Sequence, residues 1–252
     1  IITGNPSFYD LTSFLEEFFN VNYQTSSKNV IVYLPNAEGR CSGTELTSLR
    51  KHPFYSSKIR IVKSNQISNE ELVGLKAKNC EALFILPDTL GKPKHEDALS
   101  ILQAMFVKNY SLQIPTIVKL ITPKYILHLR NLKVETMICA QELKMRIISQ
   151  SCLVDGFCTL ITNLLNTYVY RAQDDSVEYW GDEYFYGLGH QIYRIEFNSL
   201  LAGYTFSEAA CLIYSVFNVT LIGLGIKNVN EEQGQTAKIS DRYAKEDLYL
   251  NP

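Results

Sequence analysis

Acidic residues form the densest group of potentially reactive side chains in this 252-residue sequence. Five carboxylates fall within ten residues: Asp174, Asp175, Glu178, Asp182 and Glu183. Oxygen ligands of this kind bind hard cations such as Ca²⁺ when several of them converge on one point. Spacing along the chain does not establish convergence. An acidic surface loop is therefore the preferred interpretation, and a weak cation site at Asp174 and Asp175 is the alternative.

Histidines offer no catalytic pattern. The chain contains four of them: His52, His95, His128 and His190. None lies in a G-x-S-x-G or H-E-x-x-H frame. Glu96 and Asp97 follow His95 and resemble part of a metal site, but the second histidine is missing, so acids in the first turn of a helix are the better interpretation. We expect that the protein is not an enzyme.

A loop that binds a nucleotide would have to follow the first apolar run. Such a loop has the pattern G-x-G-x-x-G, because glycines let the backbone approach the pyrophosphate. Here Gly4 is followed by Asn5-Pro6-Ser7-Phe8-Tyr9, with one glycine and two aromatic residues. The acid expected after the second run is replaced by Leu34-Pro35-Asn36. The sequence therefore predicts no NAD site.

Composition narrows the class of protein further. Hydrophobic residues make up 46% and charged residues 20%, a composition that excludes global disorder. The formal net charge of −2 excludes a nucleic-acid-binding surface.

Six cysteines without a C-x-x-C pair predict reduced core cysteines in a cytosolic compartment. The longest nonpolar stretch, 211–226, contains polar residues and is too short to cross a bilayer. The abrupt start within a strand-like segment predicts a piece of a longer protein.

Short apolar runs alternate with amphipathic segments over residues 1–139. The runs predict strands at 1–3, 29–34, 59–63, 82–86, 116–120 and 136–139. Helices are predicted at 10–19, 45–51 and 95–108, with two more beginning at Ser68 and Pro123. This alternation predicts an α/β fold, with a Rossmann-like, doubly wound parallel sheet.

The pattern changes after residue 139. Two helices are predicted at 140–151 and 157–170, with a helix-crossover-helix arrangement, and both are apolar around much of their circumference. They pack either on the domain's own core or on a partner subunit. Residues 172–252 predict a smaller α+β subdomain, incomplete at its end, with strands at 191–197 and 220–226, a helix at 207–217 and a mobile loop at 228–247. The predicted organisation is a Rossmann-like core (1–139), an interface element (140–171) and this subdomain (172–252).

Several motifs resemble one family along the whole chain. Positions 95–110 (HEDALSILQAMFVKNY) look like the fourth helix of the first RCK (regulator of K⁺ conductance) domain of eukaryotic Slo-type, calcium-activated potassium channels. Positions 140–165 (AQELKMRIISQSCLVDGFCTLITNLL) resemble the helix-crossover-helix of that domain. Trp180 with Tyr184, the AGYTF run at 202–206 and residues 248–252 match further landmarks in order.

The resemblance implies a gating-ring domain that couples intracellular ion binding to opening of a potassium-selective pore. Such domains follow a transmembrane pore and usually precede a second RCK domain, and eight domains from four chains form a ring beneath the pore. The expected partners are therefore a second RCK domain and the pore of the same homotetrameric channel, on the cytoplasmic side of a membrane. Nucleic acid and a membrane span within this part of the chain are not expected.

Two sets of interface positions follow from the resemblance. The crossover helices would supply the contact between RCK domains of one chain, through Ile147, Ile148, Phe157, Leu160 and Leu164. A second face would close the ring, through Leu102, Met105, Phe106, Ile126 and Leu129. Ordinary core packing is the alternative for about half of these positions.

The calcium-binding positions of the family are largely neutral here. Glu17 keeps an acid, but Asn22 and Gln191 stand where the family places carboxylates. Losing two negative charges weakens a prospective Ca²⁺ shell. We therefore predict that the usual Ca²⁺ site of the family, at which Ca²⁺ would be the cofactor, is lost. A sodium-activated or otherwise regulated Slo-family domain, and a nucleotide-binding Rossmann regulatory domain of an ion transporter, are the alternatives.

Overall fold

The computed structural model describes residues 1–20, 28–35, 41–64, 67–165, 180–189, 192, 195, 201 and 203–224. The chain divides into two compact units, Ile1–Gln191 and Ile192–Pro252. The predicted boundary near residue 172 lies outside the described residues, as does the predicted loop at 228–247.

Six parallel strands form one sheet in the first unit. They are β1 (Ile2–Gly4), β2 (Val30–Leu34), β3 (Ile59–Lys63), β4 (Leu83–Leu86), β5 (Thr116–Leu120) and β6 (Thr136–Cys139). Their order is β3-β2-β1-β4-β5-β6, with Thr3 of β1 paired to Tyr33 on one side and Ile85 on the other. The order reverses between β1 and β4, as in a doubly wound sheet. The predicted fold class and all six predicted strands are confirmed.

Nine α-helices are described. They are α1 (Phe8–Phe18), α2 (Gly43–Lys51), α3 (Asn69–Gly74), α4 (Pro93–Tyr110), α5 (Ile126–Arg130), α6 (Ala140–Ser151), α7 (Phe157–Leu165), α8 (Trp180–Leu188) and α9 (Phe206–Phe217). Ser42 and Ser68 begin α2 and α3 with capping boxes, because each side chain accepts the N3 amide while the N3 glutamate accepts the cap amide. These caps set where α2 and α3 start.

Apolar side chains form two cores. The first joins α1 and α2 to β1, β2 and β3, through residues such as Leu11, Leu15 and Val32. The second joins α3, α4 and α5 to β4, β5 and β6, through residues such as Val107 and Val118. Strand β4 serves both, because alternate side chains of a strand point to opposite faces: Leu83 and Ile85 lie in the second core, and Phe84 and Leu86 pack against the first.

Two sequence predictions differ from the structure. Cys152, Cys158 and Cys211 are exposed rather than in a core, because the end of α6 and the outer faces of α7 and α9 present these positions to solvent. Residues 220–224 form no strand: Val219 and Ile222 are exposed, and β-branched runs adopt strand geometry mainly through burial and pairing. The other predicted strand of the subdomain, 191–197, lies almost entirely outside the described residues.

Candidate functional site

The crevice where the strand order reverses is closed by backbone contact. Gly4 ends β1 with φ +111°, and a Cβ there would lie 2.1 Å from the carbonyl oxygen of Leu86. The amide of Asn5 donates to that same oxygen at 3.0 Å. The single glycine of the first turn therefore lets β1 approach β4, and it does not open room for a pyrophosphate.

The start of α1 is already occupied by a carboxylate. Ser7 caps the helix by accepting the Asp10 amide at 3.1 Å, and its hydroxyl donates to the Asp10 carboxylate at 2.9 Å. Thr89, after β4, also donates to that carboxylate, and the Lys119 ammonium lies 3.8 Å from it. A helix N-terminus binds phosphate through free amides and positive potential. The negative charge of Asp10 at this position does not fit a dinucleotide.

Two acids in the first turns of α4 hold the neighbouring loops. Asp97 is fully buried and accepts the amides of Ile121 and Thr122 at 2.7 and 2.9 Å. Glu96 is also buried and accepts the amide of Asp88 at 3.3 Å. Both carboxylates therefore satisfy backbone donors that would otherwise be buried without partners. The sequence predicted their place on the helix, but it did not show that they were buried.

The structure describes one of the five predicted cation ligands. Glu17 lies exposed near the end of α1. Asn22, Gln191, Asp174 and Asp175 lie outside the described residues. Within the described part of the chain, no group of three or more His, Cys, Asp or Glu side chains could hold a metal ion.

The crossover helices expose their apolar side chains. No residue of α6 or α7 is buried, and the two helices lie against each other directly after β6. Ile148, Leu160 and Leu164 are 50%, 56% and 43% exposed, whereas Ile147 and Phe157 are half-buried. Further exposed apolar residues surround them: Leu143, Met145, Leu153, Val154 and Leu165. The sequence left open whether these helices pack on the domain's own core or on a partner subunit. Because their apolar side chains are exposed, they do not pack within the domain's own core.

A second apolar surface lies on α4. Leu102 and Met105 are exposed, while Phe106 and Ile126 are half-buried and pack against the second core. Leu129 is fully buried in that core, so the prediction that its side chain forms an interface is wrong. The turn of α5 directs Leu129 inward.

The predicted interface set lacked several exposed side chains of these two surfaces, among them Leu99, Leu127 and Met145. Leu99 precedes Leu102 by three residues, so the helical period of α4 was a signal that could have found it. Leu127 has 65% of its surface exposed and takes the outward position on α5 that was assigned to Leu129.

An open groove of about 420 Å³ lies between the turn at Pro123 and α6. It is lined by Pro123, Gln141, Glu142, Met145, Arg146 and Ser149. No motif in the sequence predicted this groove, because β6 separates its two walls along the chain. Among the helices in the described ranges, none has the length and apolar character to cross a bilayer.

Two family models match the chain. The model for the calcium-activated potassium channel slowpoke-like RCK domain matches residues 1–118, and the model for the calcium-activated BK potassium channel alpha subunit matches residues 135–224. The two matched ranges together contain most of the Rossmann-like core and all of α6 and α7.

Curated relatives match over nearly the whole chain. The calcium-activated potassium channel slowpoke of Drosophila melanogaster is 25% identical over 252 residues, covering 97% of this chain and 20% of the relative. The calcium-activated potassium channel slo-1 of Caenorhabditis elegans is 25% identical over 240 residues, covering 92% of this chain and 20% of the relative. The chain therefore spans about one fifth of the length of the curated relatives that it matches.

A solved structure shares the fold. The human SLO3 gating ring superposes with a TM-score of 0.63 at 21% identity, covering 85% of this chain and 37% of that chain. This likeness agrees with the doubly wound sheet and shows the fold alone. The family models and the matching relatives, together with the shared fold, show that the chain belongs to the family of Slo-type RCK domains.

Proposed function

We propose that this chain is a cytoplasmic gating-ring domain of a calcium-activated-type potassium channel, where it couples intracellular ion binding to pore opening. Its partners would be a second RCK domain and the pore of the same homotetrameric channel. The observation that carries the proposal is the exposed apolar helix pair α6–α7, in a chain whose family consists of channel regulatory domains. The domain acts by contact and not by catalysis.

The apolar surface of α6 and α7 supports a protein partner. Soluble monomers seldom expose a contiguous apolar surface of this kind, because leaving it in water forgoes the free energy of burial. Helices α6 and α7 contact each other along one side only, which leaves their other sides uncovered. Leu160 and Leu164 lie one helical turn apart on the uncovered side of α7. A second RCK domain with an equivalent helix pair would bury these side chains.

The exposed residues of α4 support a second, separate contact. Leu102 and Met105 are three positions apart and lie on one face of the helix. Two distinct apolar surfaces on one domain allow each copy to bind two neighbours, which is what a closed ring requires. Phe106 and Ile126 support this face from beneath, since they pack against the second core.

Association of the purified chain tests the crossover surface. We expect concentration-dependent association in sedimentation velocity, and Leu160→Glu should weaken it at least tenfold, because a carboxylate would be buried at the centre of the contact. Val73→Glu is the matched control: Val73 is 61% exposed on α3 and lies outside both surfaces. Its association should match the wild type. If Leu160→Glu and Val73→Glu associate equally well, α6–α7 is not the interface.

Calcium titration tests the lost site. Because Asn22 and Gln191 are neutral amides, we expect no micromolar Ca²⁺ binding by calorimetry on the purified chain. Micromolar binding that disappears in Glu17→Ala but survives in Glu16→Ala would contradict this expectation. Glu16 is the suitable control, since it is the exposed acid next to Glu17. Without a site of its own, the domain would relay a signal that is sensed elsewhere in the ring.

A further inference from the structure

Helix α8 exposes three aromatic side chains. Trp180, Tyr184 and Phe185 are 72%, 45% and 51% exposed. Their rings adjoin one another: the centroids of Trp180 and Tyr184 lie 6.5 Å apart, and those of Tyr184 and Phe185 lie 5.9 Å apart. Trp180 and Tyr184 are four positions apart and therefore share one face of the helix. We call these three residues the α8 aromatic patch.

Helix α7 holds the α8 aromatic patch in position. The side-chain amide of Asn163 donates to the hydroxyl oxygen of Tyr184 at 2.7 Å. This bond anchors the ring that adjoins both Trp180 and Phe185. Tyrosine and tryptophan side chains offer a large contact area and have few rotatable bonds, so they lose little conformational entropy when a partner binds. The patch is therefore suited to binding a partner without first being rearranged.

The sequence around the α8 aromatic patch is strongly acidic. Residues 172–189 contain five carboxylates and no lysine, arginine or histidine. Two of these acids, Asp182 and Glu183, belong to α8 itself. Helix α7, which contacts α8 through Asn163, carries no charged residue. Because no cation in either helix offsets these charges, this part of the domain attracts positively charged groups.

Aromatic rings beside carboxylates form a surface that suits arginine. The planar guanidinium group stacks on tryptophan and tyrosine rings, and its N–H groups donate to carboxylates. The lysine ammonium is more strongly hydrated and has no planar face, so it gains less from the same rings. A purely apolar segment would cover the rings but would gain nothing from the negative charge. The charge and the rings together favour a partner rich in arginine.

We propose that the α8 aromatic patch binds an arginine-rich segment of a partner protein, with guanidinium groups stacked on Trp180 and Tyr184. The acids of 172–189 attract the segment and the exposed rings hold it. Because the attraction acts between exposed charges, binding weakens as the salt concentration rises. This contact goes beyond the proposed function, since it requires neither the crossover surface nor the surface on α4.

Titration of the purified chain with a nona-arginine peptide tests the docking. Trp180 is the one tryptophan of the chain, so its fluorescence reports directly on the patch. We expect saturable binding at low salt, accompanied by a change in the Trp180 emission. A nona-lysine peptide should bind roughly threefold more weakly or worse, because its ammonium groups stack poorly.

Variants are compared by the fluorescence anisotropy of labelled nona-arginine. Trp180→Leu and Tyr184→Leu keep an apolar side chain but remove the ring, and each should weaken binding by about fivefold. The matched control is Tyr9→Leu, which makes the same change at a tyrosine on α1 that is 78% exposed. This control should bind like the wild type, and circular dichroism would verify that each variant is folded.

Three results would overturn the inference. They are absence of saturable nona-arginine binding, equal binding of nona-lysine without a change in the Trp180 emission, and equal affinities of Tyr184→Leu and Tyr9→Leu. Absence of peptide binding together with weaker self-association of Trp180→Leu would make the patch part of the crossover surface instead.

The association test of Leu160→Glu separates this inference from the proposed function, because it is carried out without peptide. If Leu160→Glu weakens association but the wild type binds no peptide, only the docking of arginine-rich segments is removed. If the peptide binds but Leu160→Glu has no effect on association, only the crossover interface is removed.

Discussion

Replacing Gly4 by alanine is expected to prevent stable folding of the first unit. The added Cβ would lie 2.1 Å from the Leu86 carbonyl oxygen and 2.9 Å from its carbon, and φ at this position is +111°. Both atoms belong to the backbone, so no rotation of a side chain relieves the contact, and β1 must separate from β4 at the centre of the sheet. We expect a loss of more than about 4 kcal/mol in the free energy of unfolding, measured by urea denaturation followed by circular dichroism.

Gly43→Ala provides the matched control. Gly43 begins α2, and nothing lies within 4 Å of a Cβ at this position. Alanine has a higher helix propensity than glycine, so the free energy of unfolding should stay the same or rise by up to about 1 kcal/mol. A Gly4→Ala variant within 1 kcal/mol of the wild type would show that the close approach of β1 to β4 is not required.

Lys108→Met is expected to destabilise the protein by about 3 kcal/mol. The Lys108 side chain is 2% exposed, and its ammonium donates to the carbonyls of Leu112 and Ile114 and to the Glu135 carboxylate at 2.8–3.3 Å. That carboxylate also accepts the Thr116 amide at 2.6 Å. Removing one member of a buried pair leaves its partners without compensation. Glu135 is 43% exposed and is partly rehydrated, so we expect the lower end of the usual range.

Chemical denaturation of three variants tests this pair. Lys133→Met, at an exposed lysine shortly before β6, should change the free energy of unfolding by no more than about 0.5 kcal/mol. The double variant Lys108→Met/Glu135→Leu should recover part of the loss, because two apolar groups replace a pair whose desolvation was costly. A loss below 1 kcal/mol for Lys108→Met would indicate that the ion pair does not hold the end of α4 to β5 and β6.

Local patterns were sufficient to predict the core of the fold. Each strand is a run of three to six mainly apolar residues between polar or turn residues, and such runs favour the buried strands of a parallel sheet. The prediction for 220–226 used the same signal and was wrong over the described residues 220–224. The run has the composition of a strand, but whether it pairs depends on a neighbour that composition does not specify.

Interface residues were harder to predict than core residues. Leu127 and Leu129 are both leucines on the short α5, yet one is exposed and the other fully buried. The resemblance identified the helix as part of a contact face, but only the direction of each Cα–Cβ bond decides which leucine faces outward. Similarly, Glu96 and Asp97 were predicted at the start of α4, although their burial depends on loops that follow β4 and β5.

By itself, the sequence determined the α/β class, the six strands of the sheet, the crossover helices and the family, because these depend on periodicity and on motifs that are contiguous in the chain. The residues after Gly4 also predicted that this turn has no phosphate-binding pattern. The tertiary structure alone decided how the turn is filled, with Asp10 bound to Ser7 and Thr89 and β1 in close contact with β4. It also decided that α6 and α7 are exposed, because contacts between distant segments settle burial.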